Sequence, residues 1–139
     1  MKIDPTITED TAPFWRSARQ GRLVLPTCSN GHPEQSWLPP VGVCPRCRCR
    51  QVRWKEVQRV GTVLGWVTYR REFLPDFPVP YVIAMVGLDS GPRMTVLIRH
   101  HESTRIALGD RVDIQFQRLA GDEWMPTGAV IPKEMEQPQ

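Results

Sequence analysis

The second half of the chain alternates apolar and polar residues in a way that predicts a β-sheet. Residues 111–119 place Val112, Ile114 and Phe116 on one side and polar residues on the other, which is the period of a half-buried strand. Four other segments are typical of strands: 62–70, 81–88, 93–99 and 123–130. Pro126 cannot donate a hydrogen bond to a neighbouring strand, so it predicts a sheet edge or a bulge in the last of these segments.

A short helical insertion is expected at His101–Leu108, between the third and fourth of these strands. Five strands with one such insertion are typical of the five-stranded, partly open Greek-key barrel known as the OB-fold. The second half of the chain therefore predicts a small barrel.

Residues 1–10 have no periodicity and are expected to form an arm, and a helical pattern follows them. A helix fits residues 12–20, with Thr11 as its N-cap and Gly21 as its stop. Phe14 and Ala18 share one face of this helix, and Trp15 lies beside them. Two aromatic side chains on so short a helix need a covering surface, which is either the rest of the chain or a partner.

Between the helix and the barrel, short strand-like segments alternate with cysteine-containing turns. The segments 22–26, 35–39 and 51–57 read as strands, and the turns between them carry the sequences CSNGH and CPRC. This layout predicts a zinc ribbon, in which two short knuckles supply four ligands to one tetrahedral metal.

The ligand set of this ribbon follows from the spacing within its knuckles. Cys44 and Cys47 form a regular C-x-x-C pair, whereas the first knuckle pairs Cys28 with His32 one position later than usual. We favour these four residues because an imidazole reaches further than a thiolate. Cys49 is the alternate fourth ligand, and a degenerate site without metal is a third interpretation.

The whole pattern predicts a mainly β protein: a short N-terminal helix, a zinc ribbon and then a five-stranded OB-fold barrel. The expected organisation is an arm and helix at 1–21, the ribbon at 22–58, the barrel at 59–132 and a disordered tail at 133–139. The predicted zinc has a structural role, because a segment of this size cannot build its own core.

Composition narrows the function classes. The chain is 40% hydrophobic and 24% charged, which is ordinary for a folded globular protein. Its longest apolar run, residues 81–88, is far too short to span a membrane, and the first residues lack the apolar core of a signal peptide. A cytoplasmic protein without membrane contact is expected, and clustered cysteines in that compartment favour metal over disulfides.

The net charge of +3 is unevenly distributed. Residues 1–60 hold ten Lys and Arg against five Asp and Glu, while residues 61–139 hold eight against ten. A barrel that binds single-stranded nucleic acid would interleave basic and stacking aromatic residues on its strands, and this acidic half does not. Nucleic-acid binding is therefore an alternative that the sequence disfavours.

A proline-rich segment between the first two barrel strands carries three apolar side chains, Phe73, Leu74 and Phe77. Proline reduces the conformational entropy that such a segment loses on binding. The segment is either a preshaped contact surface for a partner or a loop that folds over the barrel.

Independent catalysis is not indicated. The sequence has no G-x-S-x-G and no phosphate-binding glycine loop. It has three histidines, of which His100 and His101 are adjacent and point to opposite faces of an extended strand. We therefore predict no catalytic residues in this chain.

Several segments resemble a known family, the acyl-CoA-associated OB-fold proteins with an N-terminal rubredoxin-like zinc ribbon. The likeness is carried by residues 14–28, 44–47, 54–70, 79–94 and 108–116, and it extends over most of residues 11–130. The departure from the usual pattern is the replacement of the second cysteine of the first knuckle by Gly31 and His32.

The resemblance implies a non-catalytic scaffold that binds an enzyme of the thiolase superfamily. Such complexes carry out acyl-CoA condensation, thiolysis or retro-aldol cleavage, including steps of lipid and steroid side-chain metabolism. It also implies a heterotetramer with two copies of each chain and a CoA thioester near the subunit interface. Phe14 and Trp15, with Phe73, Leu74 and Phe77, are the expected contacts with the partner or with CoA.

Overall fold

The computed structural model describes residues 4–72, 78–99, 105–119 and 121–132, and within these it contains one helix and eight strands. In chain order they are α1 Ala12–Ala18, β1 Val24–Cys28, β2 Gln35–Ser36, β3 Arg53–Glu56, β4 Val60–Tyr69, β5 Tyr81–Leu88, β6 Arg93–Ile98, β7 Arg111–Arg118 and β8 Trp124–Val130. The predicted fold class, mainly β with a short helix and a five-stranded barrel, is confirmed.

Helix α1 ends at Ala18, two residues before the predicted end, and Gly21 closes the turn that follows it. The Arg22 N–H donates to the Ser17 carbonyl and the Gly21 N–H to the Ala18 carbonyl, which is the Schellman arrangement with Gly21 at a φ of 71°. Thr11 is the N-cap residue, but its side chain does not cap the helix and instead hydrogen-bonds to Thr8.

The ribbon forms a three-stranded antiparallel sheet in the order β2-β1-β3. Strand β1 is central and all five of its residues are buried, whereas β2 and β3 are partly or fully exposed. The central strand therefore joins the ribbon to the rest of the protein.

The other five strands close into a barrel in the order β4-β5-β6-β8-β7. Closure comes from the start of β4, where residues 60–62 pair with residues 111–113 of β7. At the same point Gly61 permits the close approach of β4 to β5, because a Cβ there would lie 2.5 Å from Val86 Cγ1 and 2.7 Å from the Gly87 carbonyl oxygen. The inward side chains of β7 are Val112, Ile114 and Phe116, as the alternation predicted.

A β-bulge interrupts β4 at Leu64. The pairing with β5 shifts there, so that Val63 lies opposite Val86 and Trp66 lies opposite Ala84. Residues directly opposite each other share a face, so Val63 and Trp66 lie on the same face of β4 although three positions separate them. Val63 is buried on that face, whereas Trp66 is 39% exposed.

One hydrophobic core connects the two sheets. Phe14, Ala18, Leu23 and Leu25 from the helix and ribbon belong to the same buried cluster as the inward side chains of the barrel. The Phe14 ring meets Phe116 of β7 edge-on, with ring centroids 6.2 Å apart. The domain boundaries predicted from the sequence stay a prediction, and the predicted tail at 133–139 lies outside the described residues.

Two expectations about the barrel need correction. The described part of the predicted insertion, residues 105–108, is not helical, because the chain runs through a turn stabilised by the Ala107 N–H donating to Asp110 at 2.9 Å. Residues 101–104 lie outside the described chain.

Strand β8 is not at an edge, since it lies between β6 and β7. It tolerates Pro126 because its pairing with β6 is limited to residues 127 and 128. Residues two apart in a strand direct their backbone N–H and C=O groups to the same side. The Gly128 carbonyl points to β6, so the backbone nitrogen of Pro126 points the same way, at a position where β8 is not yet paired with β6. The missing N–H therefore removes no bond of the ladder.

None of the described helices is long and apolar enough to cross a membrane.

Candidate metal centre

The first knuckle begins where the central strand of the ribbon ends. Cys28 is the last residue of β1, and the Asn30 N–H donates to its Sγ at 3.5 Å. Gly31 follows with a φ of 75°, a conformation that favours glycine. This left-handed turn occupies the position of the usual second cysteine and delivers His32 as the next side chain.

The second knuckle is a tight turn around Cys44. The Arg48 N–H donates to the Cys44 carbonyl at 2.8 Å, and the Cys44 N–H donates to the Cys49 carbonyl at 2.9 Å. Within the turn, the Cys47 N–H points at Cys44 Sγ, 3.5 Å away. Such N–H groups stabilise thiolate charge in a metal-binding knuckle.

The two knuckles bring together Cys28, His32, Cys44 and Cys47, whose ligand atoms all lie within 4.8 Å of one another. Cys28 Sγ and Cys47 Sγ are 3.6 Å apart, and Cys44 Sγ is 3.5 Å from His32 Nε2. Tetrahedral zinc with Zn–S of about 2.3 Å and Zn–N of about 2.0 Å requires an S–S separation of roughly 3.8 Å and an S–N separation of roughly 3.5 Å. The four side chains therefore fit one tetrahedral metal ion.

The orientation of His32 also fits a metal ligand. Its Nδ1 lies 2.8 Å from the Pro33 carbonyl oxygen, which can only accept a hydrogen bond. Nδ1 must therefore carry the proton, and the lone pair of Nε2 faces the three sulfurs. A backbone carbonyl that holds the second ring nitrogen is a common support for metal-binding histidines.

Cys49 lies outside this cluster. Its Sγ accepts a hydrogen bond from the Gln51 N–H at 3.3 Å, and it is not among the four side chains that converge. With one residue between them, Cys47 and Cys49 do not both turn toward one point. The alternate four-cysteine set is therefore disfavoured by the geometry.

The thiols are unequal in their tendency to ionise. Burial of Cys44 opposes ionisation, but the backbone N–H groups of Cys47 and Arg46 outweigh it and lower the pKa of Cys44 to about 6. The backbone of Cys49 favours ionisation of Cys47, yet burial and the neighbouring sulfurs of Cys28 and Cys44 raise the pKa of Cys47 to about 11. Three thiols this close together cannot all ionise without a cation, and a divalent metal would supply one.

The cluster has its own small core. Cys28 and Cys44 are buried together with Trp37, whose indole N–H donates to the Val41 carbonyl at 2.9 Å. In the described part of the chain, this is the one group of three or more His, Cys, Asp or Glu side chains placed to share a metal. A Cys₃His set occupies all four positions of tetrahedral zinc, which fits a structural ion and leaves no position for a substrate.

The other predicted site residues lie in different surroundings. Phe14 is only 4% exposed and sits in the core, which favours packing on the chain itself over contact with a partner. Trp15 is partly exposed and lines a groove of about 330 Å³, so its contact with a partner stays a prediction. Phe73, Leu74 and Phe77 lie outside the described residues.

Sequence reasoning did not single out the exposed apolar side chains of β4 and β5, among them Leu64, Val67 and Met85. The sequence did contain a signal for them, because apolar residues occupy both odd and even positions in these two strands instead of alternating with polar ones.

Comparison with known proteins points to one group of relatives. The family model described as the ChsH2 C-terminal OB-fold domain matches residues 54–117. The solved structure named Ltp2-ChsH2(DUF35) aldolase matches with a TM-score of 0.79 at 25% identity, over 91% of this chain and 98% of that one. These matches support an OB-fold DUF35-type family for this chain.

Curated relatives of this chain include a scaffold protein and an enzyme subunit. It is 27% identical to a DUF35 domain-containing scaffold protein of Pyrococcus furiosus, over 76% of this chain and 77% of the relative. It is 29% identical to the 3-oxo-4,17-pregnadiene-20-carboxyl-CoA hydratase alpha subunit of Mycobacterium tuberculosis, over 76% of this chain. The chain spans about a third of the length of the hydratase alpha subunits that it matches.

Proposed function

We propose that this DUF35-type chain is a non-catalytic accessory subunit of an enzyme complex that processes acyl-CoA thioesters in lipid or steroid metabolism. The observation that carries the proposal is the match to nearly the whole of the DUF35 chain of an aldolase, at a TM-score of 0.79. The scaffold protein and the hydratase alpha subunit among the relatives support the same role.

The proposed partner is an enzyme of the thiolase superfamily. The resemblance of residues 14–28 and 54–70 to the acyl-CoA-associated family supports this choice. The complex would contain two copies of each chain, with the CoA thioester bound near their interface. Its reaction would be condensation, thiolysis or retro-aldol cleavage, and the reacting groups would belong to the partner.

The metal centre supports an accessory role for this chain. Bound zinc would be held by Cys28, His32, Cys44 and Cys47, and a closed tetrahedral site supplies folding energy rather than Lewis-acid chemistry. Zinc at this place would fix the ribbon against the barrel, since the knuckles are continuous with β1 in the shared core.

Affinity purification of the tagged chain from its native extract tests the proposal. We expect a thiolase-superfamily subunit in stoichiometric amount and about one zinc per chain in the same sample. Recovery of nucleic acid with a strongly salt-dependent affinity would instead support a nucleic-acid-binding module. Recovery of neither would contradict the accessory role.

A further inference from the structure

The outer face of the β4–β5 hairpin is apolar. Residues opposite each other on paired strands share a face, so Val67 and Ile83 lie together, as do Tyr69 and Tyr81, on the side away from the barrel core. Leu64, the bulge residue, lies over Gly87 on this same side, at 3.1 Å from the position of a Cβ there. We call this set the hairpin face; its members are Leu64, Val67, Tyr69, Tyr81, Ile83 and Met85.

Much of the hairpin face is open to water. Val67 is 55% exposed, Leu64 45% and Met85 40%. The rings of Tyr69 and Tyr81 stack at a centroid distance of 4.7 Å and an angle of 12°, which makes a flat aromatic end to the face. Adjacent apolar side chains that are exposed together often mark an interaction site.

The outer side of β7, which neighbours β4 in the closed barrel, provides an internal comparison. On β7 the outward residues are Arg111, Asp113, Gln115 and Gln117, all polar, while the inward residues are apolar. A barrel surrounded by water keeps its outward positions polar in this way. The apolar outward residues are concentrated on β4 and β5, which distinguishes this face from the water-facing wall at β7.

The free edge of β4 adjoins the hairpin face. Strand β4 pairs with β5 along its length, but its pairing with β7 ends at Thr62. Val63 is still bonded to the loop before β7, through the carbonyl of Asp110 and the N–H of Gly109. Beyond it, β4 has no second strand beside it among the described residues. Such an edge accepts a further strand or surface.

Charges around the hairpin face indicate what kind of surface covers it. Arg70 and Arg71 follow β4 at one end, and Arg93 lies opposite Gly87 at the other. None of the three forms a salt bridge within the described part of the chain, and Glu72 is the one carboxylate next to them in sequence. Asp89, at the Gly87 end, is already paired with Arg111 at 2.7 Å. Among the described residues, the rim is therefore net positive.

We propose that the hairpin face is the docking surface for the enzyme subunit of the complex, and that this subunit meets it with an apolar patch bordered by carboxylates. The inference rests on the accessory role proposed above. A second copy of this chain fits less well, because face-to-face pairing of two copies would bring two positive rims together. The face continues past Met85 and Arg93 into the groove lined by Trp15, so one partner surface can contact both.

A matched pair of variants tests the docking surface. The enzyme subunit that co-purifies with the tagged wild-type chain is identified by mass, expressed separately and titrated against each purified variant. Val67→Glu places a carboxylate in the middle of the face, and we expect its Kd to rise about tenfold or more, because that charge would be buried against a surface bordered by carboxylates. Gln117→Glu adds the same charge to the polar outer side of β7, and we expect its Kd to stay within about twofold of wild type.

The outcomes separate this inference from the function on which it rests. Unchanged binding by a folded Val67→Glu variant would overturn the docking surface and leave the accessory role standing. No enzyme subunit binding to wild type would overturn both. A wild-type chain that dimerises alone, and that Val67→Glu makes monomeric, would assign the face to a second copy instead.

Hydrogen exchange provides a second measurement if Val67→Glu does not fold. In the wild-type complex, the amides of residues 64–69 should exchange at least about tenfold more slowly than in the free chain. The amides of β7 should change little. Equal exchange of residues 64–69 in the free and bound chain would overturn the proposal.

Discussion

Replacing Phe14 by alanine tests whether the helix, ribbon and barrel fold as one unit. The Phe14 ring is 4% exposed, and its edge-on contacts are Trp15, at a centroid distance of 4.9 Å, and Phe116 of the barrel, at 6.2 Å. Removal of the ring leaves a cavity at the junction of helix and barrel, so both parts should lose stability together.

The expected cost follows from the burial and from the neighbouring groove. Phe→Ala substitutions in a protein core destabilise by about 3–5 kcal/mol. The groove of about 330 Å³ that Phe14 lines lets its neighbours relax and water enter. We therefore expect the free energy of unfolding to fall by about 3 kcal/mol, at the lower end of that range. Phe14→Leu, which keeps most of the apolar volume, should cost less than about 1.5 kcal/mol.

Urea denaturation followed by circular dichroism and by tryptophan fluorescence measures these costs. Tryptophans are present in both the ribbon and the barrel, and we expect one transition with the same midpoint by both probes, shifted to lower urea in Phe14→Ala. A loss below about 1 kcal/mol, or a barrel transition that does not move, would refute the shared core.

Three other predictions concern the metal, the barrel core and an ion pair. Cys44→Ala should abolish zinc binding and lower the melting temperature, whereas Cys49→Ser should keep about one zinc per chain by metal analysis; equal loss in both would contradict the assigned ligand set. Gly128→Ala should cost about 1–3 kcal/mol, because its Cβ would lie 2.7 Å from Val112 Cγ1, and Gly65→Ala, with open space around it, should cost much less. The guanidinium that pairs with Asp89 lowers the pKa of that carboxyl, so the pair contributes stability above about pH 4 and loses it as the pH falls further. The melting temperature of Asp89→Asn should thus lie slightly below wild type at neutral pH and converge with it in acid; a constant difference would argue against the pair, whose contribution is small because it is partly exposed.

Periodicity predicted most of the barrel because burial on one side imposes it. In β7 the apolar side chains at alternate positions have no other place than the barrel interior, and the observed strand differs from the prediction by one residue at its end. The bulge at Leu64 could not be predicted in the same way, since no residue type marks it. Without it, Val63 and Trp66 would face opposite sides.

The candidate ligand set could be proposed from spacing, but its selection depended on three-dimensional placement. Whether His32 or Cys49 is the fourth ligand depends on the left-handed turn at Gly31 and on the carbonyl that holds the His32 ring. The position of Phe14 likewise depended on a barrel surface a hundred residues away in sequence. The local sequence pattern indicated that the Phe14 side chain must be buried by some surface, and tertiary packing determines that the barrel is that surface.

Reconstitution of activity tests the accessory role most directly. The isolated chain, the isolated enzyme subunit and their mixture are assayed for turnover of an acyl-CoA thioester, with CoA release or carbon–carbon bond cleavage as the readout. We expect no turnover by this chain alone, and a rise in the activity of the enzyme subunit that saturates at one chain of each kind. Turnover by this chain alone, or an enzyme subunit whose activity is unaffected by it, would contradict the accessory role.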